Sequence, residues 1–185
     1  MKPKLPWWTW IVSFFVALAA KLLSFHFLYF DGFFYIYGSY VFCLPLYFMW
    51  GGRVFWGQLA AETVTANVVG FHEPWFILMH GAANTAKPLL GYYLFIVFKG
   101  ESYKHKIDRS LIFFFWTLLI GSLIGNFVLL GLRVAAGDFA TGEFLSRLLR
   151  QVLRDCLSGF FISYFLLDKL GPWLKNKKLS YWPPG

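Results

Sequence analysis

The stretch LIFFFWTLLIGSLIGNFVLLGL, from Leu111 to Leu132, contains no charged residue. A chain segment needs roughly 20 apolar residues to cross the hydrocarbon core of a bilayer as a helix. A helix is suited to that environment because it satisfies its backbone hydrogen-bonding groups internally. The stretch is therefore predicted to be a transmembrane helix.

Apolar blocks of similar character fill most of the chain, which is 58% hydrophobic and only 14% charged. This composition exceeds the apolar content of an ordinary soluble domain. The other predicted spans run from Trp7 to Phe27, Phe33 to Trp50, Phe55 to Phe71, Trp75 to Phe98 and Leu148 to Leu170. The predicted fold class is all-α, a polytopic bundle of about six transmembrane helices. Residues 1–170 would form one membrane domain and residues 171–185 a short basic cytoplasmic tail.

The basic residues predict the orientation of this bundle, because lysine and arginine favour cytoplasmic loops. If both termini are cytoplasmic, the outer loops hold Arg133, with Arg147 at the outer edge of the last span. The inner segments then hold Lys2, Lys4, Arg53, Lys99, Lys104, Lys106, Arg109, Lys169, Lys175, Lys177 and Lys178. This orientation explains the net charge of +8, because the basic residues face the cytoplasmic side and its anionic lipid headgroups. No organised basic patch of the kind that binds nucleic acid is present.

Two neighbouring segments carry the most specific motifs. A tight glycine-arginine turn, GGR at 51–53, leads into a helix of small residues that ends near Asn67. The next segment reads GAANTAKPLLG from Gly81 to Gly91. Small residues let helix backbones approach closely in lipid, and Pro88 is predicted to kink its helix.

These motifs, with Arg154-Asp155 followed by Ser158-Gly159, resemble the MASE1 membrane-associated sensor domain of bacterial signalling proteins. The resemblance covers the chain from about Gly38 to Leu170. The chain departs from the family at residues 44–46, where Leu-Pro-Leu replaces a Trp-Pro-Pro-x-Gly-like stretch, and at Lys87, where the family has an acidic residue.

The resemblance implies a multi-pass protein of the bacterial inner membrane with a sensory or interaction role. Family members continue into further helices and then a kinase, cyclase or phosphodiesterase domain, so this chain is expected to signal through a separate partner protein. No catalytic signature is present, and neither a cofactor nor a metal site is predicted.

The candidate ligand-binding or partner-binding residues are polar residues within the predicted spans or, for Arg147, at the edge of one. An ionisable group at bilayer depth is costly, so each one needs a partner, a cavity or a ligand. The candidates are Glu62, Asn67, Asn84, Lys87, Arg147, Arg150, Arg154 and Asp155. The first four lie on adjacent helices and predict a polar cluster, either a structural clamp or part of a ligand site. Lys21 is expected either to pair with Glu62 or to extend toward an interface.

The arginines at 147, 150 and 154 are spaced i, i+3 and i+7, which places them on one helix face. Such an array could bind a small anionic ligand, such as a headgroup, carboxylate or phosphate. In the alternative interpretation Arg147 and Arg150 lie at the outer headgroup level. Only Arg154 is then submerged, paired with Asp155, Glu62 or a partner protein.

Two alternatives to the sensory interpretation remain open. In one, the chain is a structural or assembly subunit whose intramembrane charges dock against opposite charges on partner helices. In the other, it is the substrate-binding subunit of a transporter, since small proteins with six spans serve as capture components of vitamin uptake systems. Identification of the proteins and small molecules that co-purify with the chain would distinguish the sensory, assembly and transporter functions.

Overall fold

The computed structural model describes residues 6–27, 29–30, 33–34, 36–68, 73–105 and 108–180. Within these ranges the chain is almost entirely helical, which confirms the all-α part of the predicted fold class. Six helices follow in order: α1 (Thr9–Phe27), α2 (Gly38–Trp50), α3 (Val54–Val68), α4 (Pro74–His105), α5 (Arg109–Ala135) and α6 (144–176). Between α1 and α2, two strands of two residues each, β1 (Tyr29–Phe30) and β2 (Phe33–Phe34), form a short antiparallel pair.

Helices α5 and α6 each contain a wider π-helical section. In α5 this section is Phe113–Ile120, and in α6 it is Gly159–Tyr164. Such sections are rare, and where they occur they change the direction in which later side chains point. In α6 the section begins at Gly159, where a Cβ atom would lie only 2.6 Å from Leu118 Cδ2.

The helix boundaries differ from the predicted spans in specific places. The second span was predicted from Phe33, but α2 begins only at Gly38, because Phe33 and Phe34 belong to β2. Aromatic residues favour extended backbone, which apolar content alone does not reveal. The third predicted span reached Phe71, which lies outside the described residues. Helix α4 continues through Pro88 and extends past Phe98 to His105.

Two helices in the described ranges are long and apolar enough to cross a membrane, Thr9–His26 within α1 and Arg109–Ala135, which is α5. By contrast, α2 has 13 residues and α3 has 15. At about 1.5 Å per residue, both are shorter than the roughly 30 Å hydrocarbon core. The number of six spans and the cytoplasmic location of the termini therefore stay predictions.

Helix α2 occupies the centre of the bundle. Of its 13 residues, 11 are buried, and it packs against α1, α3, α4 and α6. Large apolar side chains of the surrounding helices are exposed on the outer surface, including Trp56 and Phe161, both 69% exposed. The molecule thus has an enclosed central helix and an apolar outer surface.

Glycines allow the surrounding helices to approach one another closely. A Cβ atom on Gly57 of α3 would lie 2.3 Å from the Trp10 carbonyl oxygen of α1. One on Gly121 of α5 would lie 3.0 Å from Gly91 Cα of α4. The Gly121-x-x-x-Gly125 pair therefore serves helix packing, as small residues in such spacing commonly do.

Candidate functional site

Glu62 on α3 is completely buried and accepts hydrogen bonds from several side chains. The Lys21 ammonium of α1 forms an ion pair with its carboxylate, as one of the two sequence interpretations predicted. The Tyr37 hydroxyl lies 3.0 Å from both carboxylate oxygens, and the Ser39 hydroxyl donates to Oε1 at 2.5 Å. The carboxylate thus joins the start of α2 to α1 and α3.

Asp155 on α6 is the second completely buried carboxylate. Arg154 donates to its Oδ1 through Nε at 2.8 Å and Nη2 at 2.5 Å. Its other oxygen, Oδ2, accepts from Asn126 at 2.8 Å, Ser122 at 3.0 Å and Lys87 at 3.4 Å. Since Asn126 and Ser122 belong to α5 and Lys87 to α4, Asp155 ties three helices together.

Tyr37 connects the two carboxylate clusters. Its hydroxyl bonds Glu62, while its ring lies 4.8 Å from Lys87 Nζ and 5.3 Å from Arg154 Cζ. Cations above an aromatic face are attracted by the ring quadrupole. We call the connected set formed by Lys21, Glu62, Lys87, Arg154, Asp155 and Tyr37 the ion network.

Local sequence explains how Lys87 reaches Asp155. The Lys87 stem crosses α5 beside Gly125, where a Cβ atom would lie 2.1 Å from Lys87 Cγ. The ammonium then donates to the Asn126 side-chain oxygen at 3.0 Å. Asn126 in turn donates to Ser122 at 2.8 Å, four residues earlier on the same helix face. Small and polar residues of α5 therefore form the wall against which Lys87 is held.

Four of the eight predicted candidates meet in the ion network, namely Glu62, Lys87, Arg154 and Asp155. The pairing of Arg154 with Asp155 is one of the alternatives that the sequence left open. Asn84 is buried on α4, and its amide lies 3.3 Å from His80 Nδ1. It shares a helix face with Lys87, three residues later, but has no bond to a carboxylate among its contacts in the described residues.

The other three candidates lie elsewhere. Asn67 is exposed and donates to the Thr63 carbonyl of its own helix at 2.8 Å, so its predicted place in a buried cluster is wrong. Arg150 is exposed. Arg147 forms an ion pair with Glu143 at 2.7 Å near the start of α6, and its guanidinium lies 4.6 Å from the Phe139 ring centre.

Sequence reasoning missed Tyr37, Ser39, Ser122 and Asn126 as members of the site. Tyr37 belongs to an aromatic-rich stretch that reads as membrane anchoring, and serines are common in apolar helices. One signal was available for α5, where Ser122 and Asn126 lie four residues apart in an otherwise apolar block and therefore share a face.

The hydrogen bonds limit what the network can do chemically. An ionised carboxylate offers about four acceptor sites. Glu62 accepts from Lys21, Tyr37 and Ser39, with Tyr37 near both oxygens, and Asp155 accepts five bonds from four side chains. A ligand that sought Asp155 would therefore have to displace one of these donors. Donors from within the chain thus already satisfy Asp155.

In comparisons with known proteins, no family model, no curated protein and no solved structure matches this chain. The resemblance to MASE1 domains rests on the motif residues alone, and the sensory function stays a prediction.

Proposed function

We propose that this chain is a multi-pass module of the bacterial inner membrane that serves a sensory or interaction role through a separate partner protein. In this proposal about six helices cross the membrane and both termini lie in the cytoplasm. The ion network stabilises one arrangement of the helices, and the partner protein recognises that arrangement.

The observation that carries the proposal is the distribution of polarity. Charged side chains lie at the centre, where Glu62 and Asp155 have no exposed area. Large apolar side chains lie outside, and on α6 they recur every fourth residue over 21 residues. These are Leu145, Leu149, Leu153, Leu157, Phe161 and Phe165, each more than half exposed. Such a surface is costly in water and suits lipid.

The internal pairing of the charges bears on the alternative of an assembly subunit. In that alternative, intramembrane charges dock against charges on partner helices. Here Lys21 pairs with Glu62, and Lys87 and Arg154 pair with Asp155, all within one chain. This favours a module with its own internal state over one whose buried charges await a partner.

The membrane arrangement can be tested by labelling single cysteines with a membrane-impermeant maleimide in spheroplasts. The background replaces the buried Cys43 and Cys156 with alanine. We expect Ala136→Cys, in the exposed connection between α5 and α6, to react in intact spheroplasts. Lys177→Cys should react only after permeabilisation. Reaction of both sites, or of neither, without permeabilisation would contradict the proposed orientation.

The partner can be tested by purifying the chain from its native membrane in mild detergent and identifying everything that accompanies it by mass spectrometry. A partner protein in fixed ratio is the expected result. Recovery of the chain alone would contradict the proposal. A co-purified vitamin or small anion would instead support the transporter alternative, and fixed membership of a large complex would support an assembly subunit.

A further inference from the structure

The two ends of α2 are held by different parts of the molecule. At the start, Tyr37 joins the ion network, and the Gly38 backbone N–H donates to the Ser24 hydroxyl of α1 at 2.8 Å. At the end, the Trp50 indole N–H donates to the Leu179 carbonyl oxygen at 2.9 Å. One short helix therefore contacts both the buried charges and the segment that follows α6.

That segment, residues 177–180, is folded back in an ordered turn. The Lys178 N–H donates to the Lys175 carbonyl at 2.8 Å, and the Leu179 N–H donates to the Leu174 carbonyl at 2.9 Å. This pair of bonds is a Schellman motif, with Lys178 in the left-handed conformation at φ 59°. Ser180 is only 1% exposed. The turn thus presents the Leu179 carbonyl to Trp50.

Helix α2 is suited to transmit a displacement between its ends. Its 13 residues span about 20 Å at 1.5 Å per residue. Pro45 removes one backbone hydrogen bond inside α2, but the Ser163 hydroxyl of α6 donates to the Val41 carbonyl at 2.6 Å in its place. Because 11 of the 13 residues are also buried in a packed interior, which resists continuous deformation, we infer that a shift at one end moves the helix as a unit. Just beyond Trp50, the chain turns at Gly51 with φ 68°, so α2 ends sharply at the tail contact.

We propose that α2 couples the ion network to the position of residues 177–180. A change in the hydrogen-bond partners of Tyr37 then loosens or shifts this segment at its contact with Trp50. The inference rests on the proposed function, since it names how such a module would present its state to a partner. It concerns the chain alone, however, and its test contains no partner protein. The two experiments are therefore independent: a negative result here would not contradict capture of a partner protein, and recovery of the chain without a partner would not contradict this coupling.

The test measures the mobility of a nitroxide spin label at Lys177→Cys by electron paramagnetic resonance, with the purified chain in lipid nanodiscs and Cys43 and Cys156 replaced by alanine. Tyr37→Phe removes the hydroxyl donated to Glu62 but keeps the ring beside Lys87 and Arg154. We expect this variant to narrow the spectral lines at position 177. Trp50→Phe, which removes the bond to Leu179, should narrow them further.

Two controls separate coupling from general loosening. Tyr93→Phe deletes a tyrosine hydroxyl on an exposed face of α4 and should leave the spectrum at 177 unchanged. A second label at Lys169→Cys, an exposed site on α6, should report no change in any variant.

Three results would overturn the proposal. One is a Tyr37→Phe spectrum at 177 equal to that of the parent. Another is equal mobilisation at 169 and 177, which would indicate loosening of the whole bundle. The third is an unchanged spectrum in Trp50→Phe, which would show that the indole does not hold the segment.

Discussion

The side chain of Lys87 passes so close to the backbone of Gly125 that a Cβ atom there would lie 2.1 Å from Lys87 Cγ. This passage is the route by which an ammonium from α4 reaches Asn126 of α5 and Asp155 of α6. Part of the ion network therefore depends on the absence of a side chain at one position of α5.

Gly125→Ala should displace Lys87 and destabilise the protein. Overpacking of an interior typically costs about 1 to 3 kcal/mol, and here it also weakens an ion pair. Chemical unfolding in mixed micelles measures the loss. Gly131→Ala is the matched control on the same helix, because nothing lies within 4 Å of its Cβ position. It should be neutral or slightly stabilising, since alanine is the better helix former. Equal effects of the two substitutions would contradict the proposed role of Gly125.

Arg154→Ala should be far more damaging than Arg147→Ala. Arg154 is 8% exposed and makes two hydrogen bonds to a fully buried carboxylate. Removal of one partner of a buried pair costs roughly 3 to 5 kcal/mol. Arg147 pairs with Glu143 at the surface, where such pairs contribute about 0 to 1 kcal/mol. Comparison of their unfolding free energies tests this, and similar losses would show that burial of Arg154 is not decisive.

A double-mutant cycle on Lys21 and Glu62 should give a large coupling energy. Among the described residues, Lys21→Met leaves the buried Glu62 carboxylate with hydroxyl donors from Tyr37 and Ser39. Adding Glu62→Gln removes that charge, so the double variant should be more stable than Lys21→Met alone. We expect a coupling of about 1 to 3 kcal/mol from unfolding measurements. Simple additivity of the two substitutions would argue against the ion pair.

Lys178→Gly should stabilise the turn that follows α6. Lys178 has φ 59°, a conformation that glycine adopts without the steric cost borne by other residues. We expect a gain of about 1 kcal/mol in unfolding free energy and slower amide exchange at Leu179. Lys177→Gly, with φ −83° at the neighbouring position, is the control and should give no gain. A gain at both positions would assign the effect to loss of charge.

Asp108 should make the start of α5 sensitive to acid. The hydroxyl and backbone N–H of Ser110 both donate to its Oδ1, the latter at 2.6 Å, and these bonds lower the pKa of the carboxyl. Because the pKa is lowered in the folded protein, stabilisation by the ionised carboxylate is fully present above the ordinary aspartate pKa of about 3.9. It is lost as the pH falls through the lowered pKa. Amide protection at Ser110 should therefore decline below about pH 4 in the parent. Asp108→Asn should abolish this dependence, and an unchanged profile would exclude the carboxylate as its cause.

The helical segments were predictable because apolar blocks and the residues between them follow from sequence alone. The prediction failed at Phe33 and Phe34, where β2 precedes α2. The second predicted span was also longer than the helix observed, since α2 has only 13 residues, and the number of six spans stays a prediction. Apolar content reports burial in protein or lipid, and it does not distinguish a central helix such as α2 from one that faces outward.

For the site, the sequence by itself determined which ionisable groups need partners, because a charge in an apolar block is costly wherever the block lies. It could not decide which partners they find. Arg154 and Asp155 are adjacent in the chain, but Lys21 and Glu62 are separated by 41 positions, and Lys87 and Asp155 by 68. Only the packing of helices around α2 brings Tyr37 between the two carboxylates and leaves Asn67 outside. Hydrogen bonds act over about 3 Å, so a site of this kind is decided by tertiary distances that sequence spacing on separate helices does not contain.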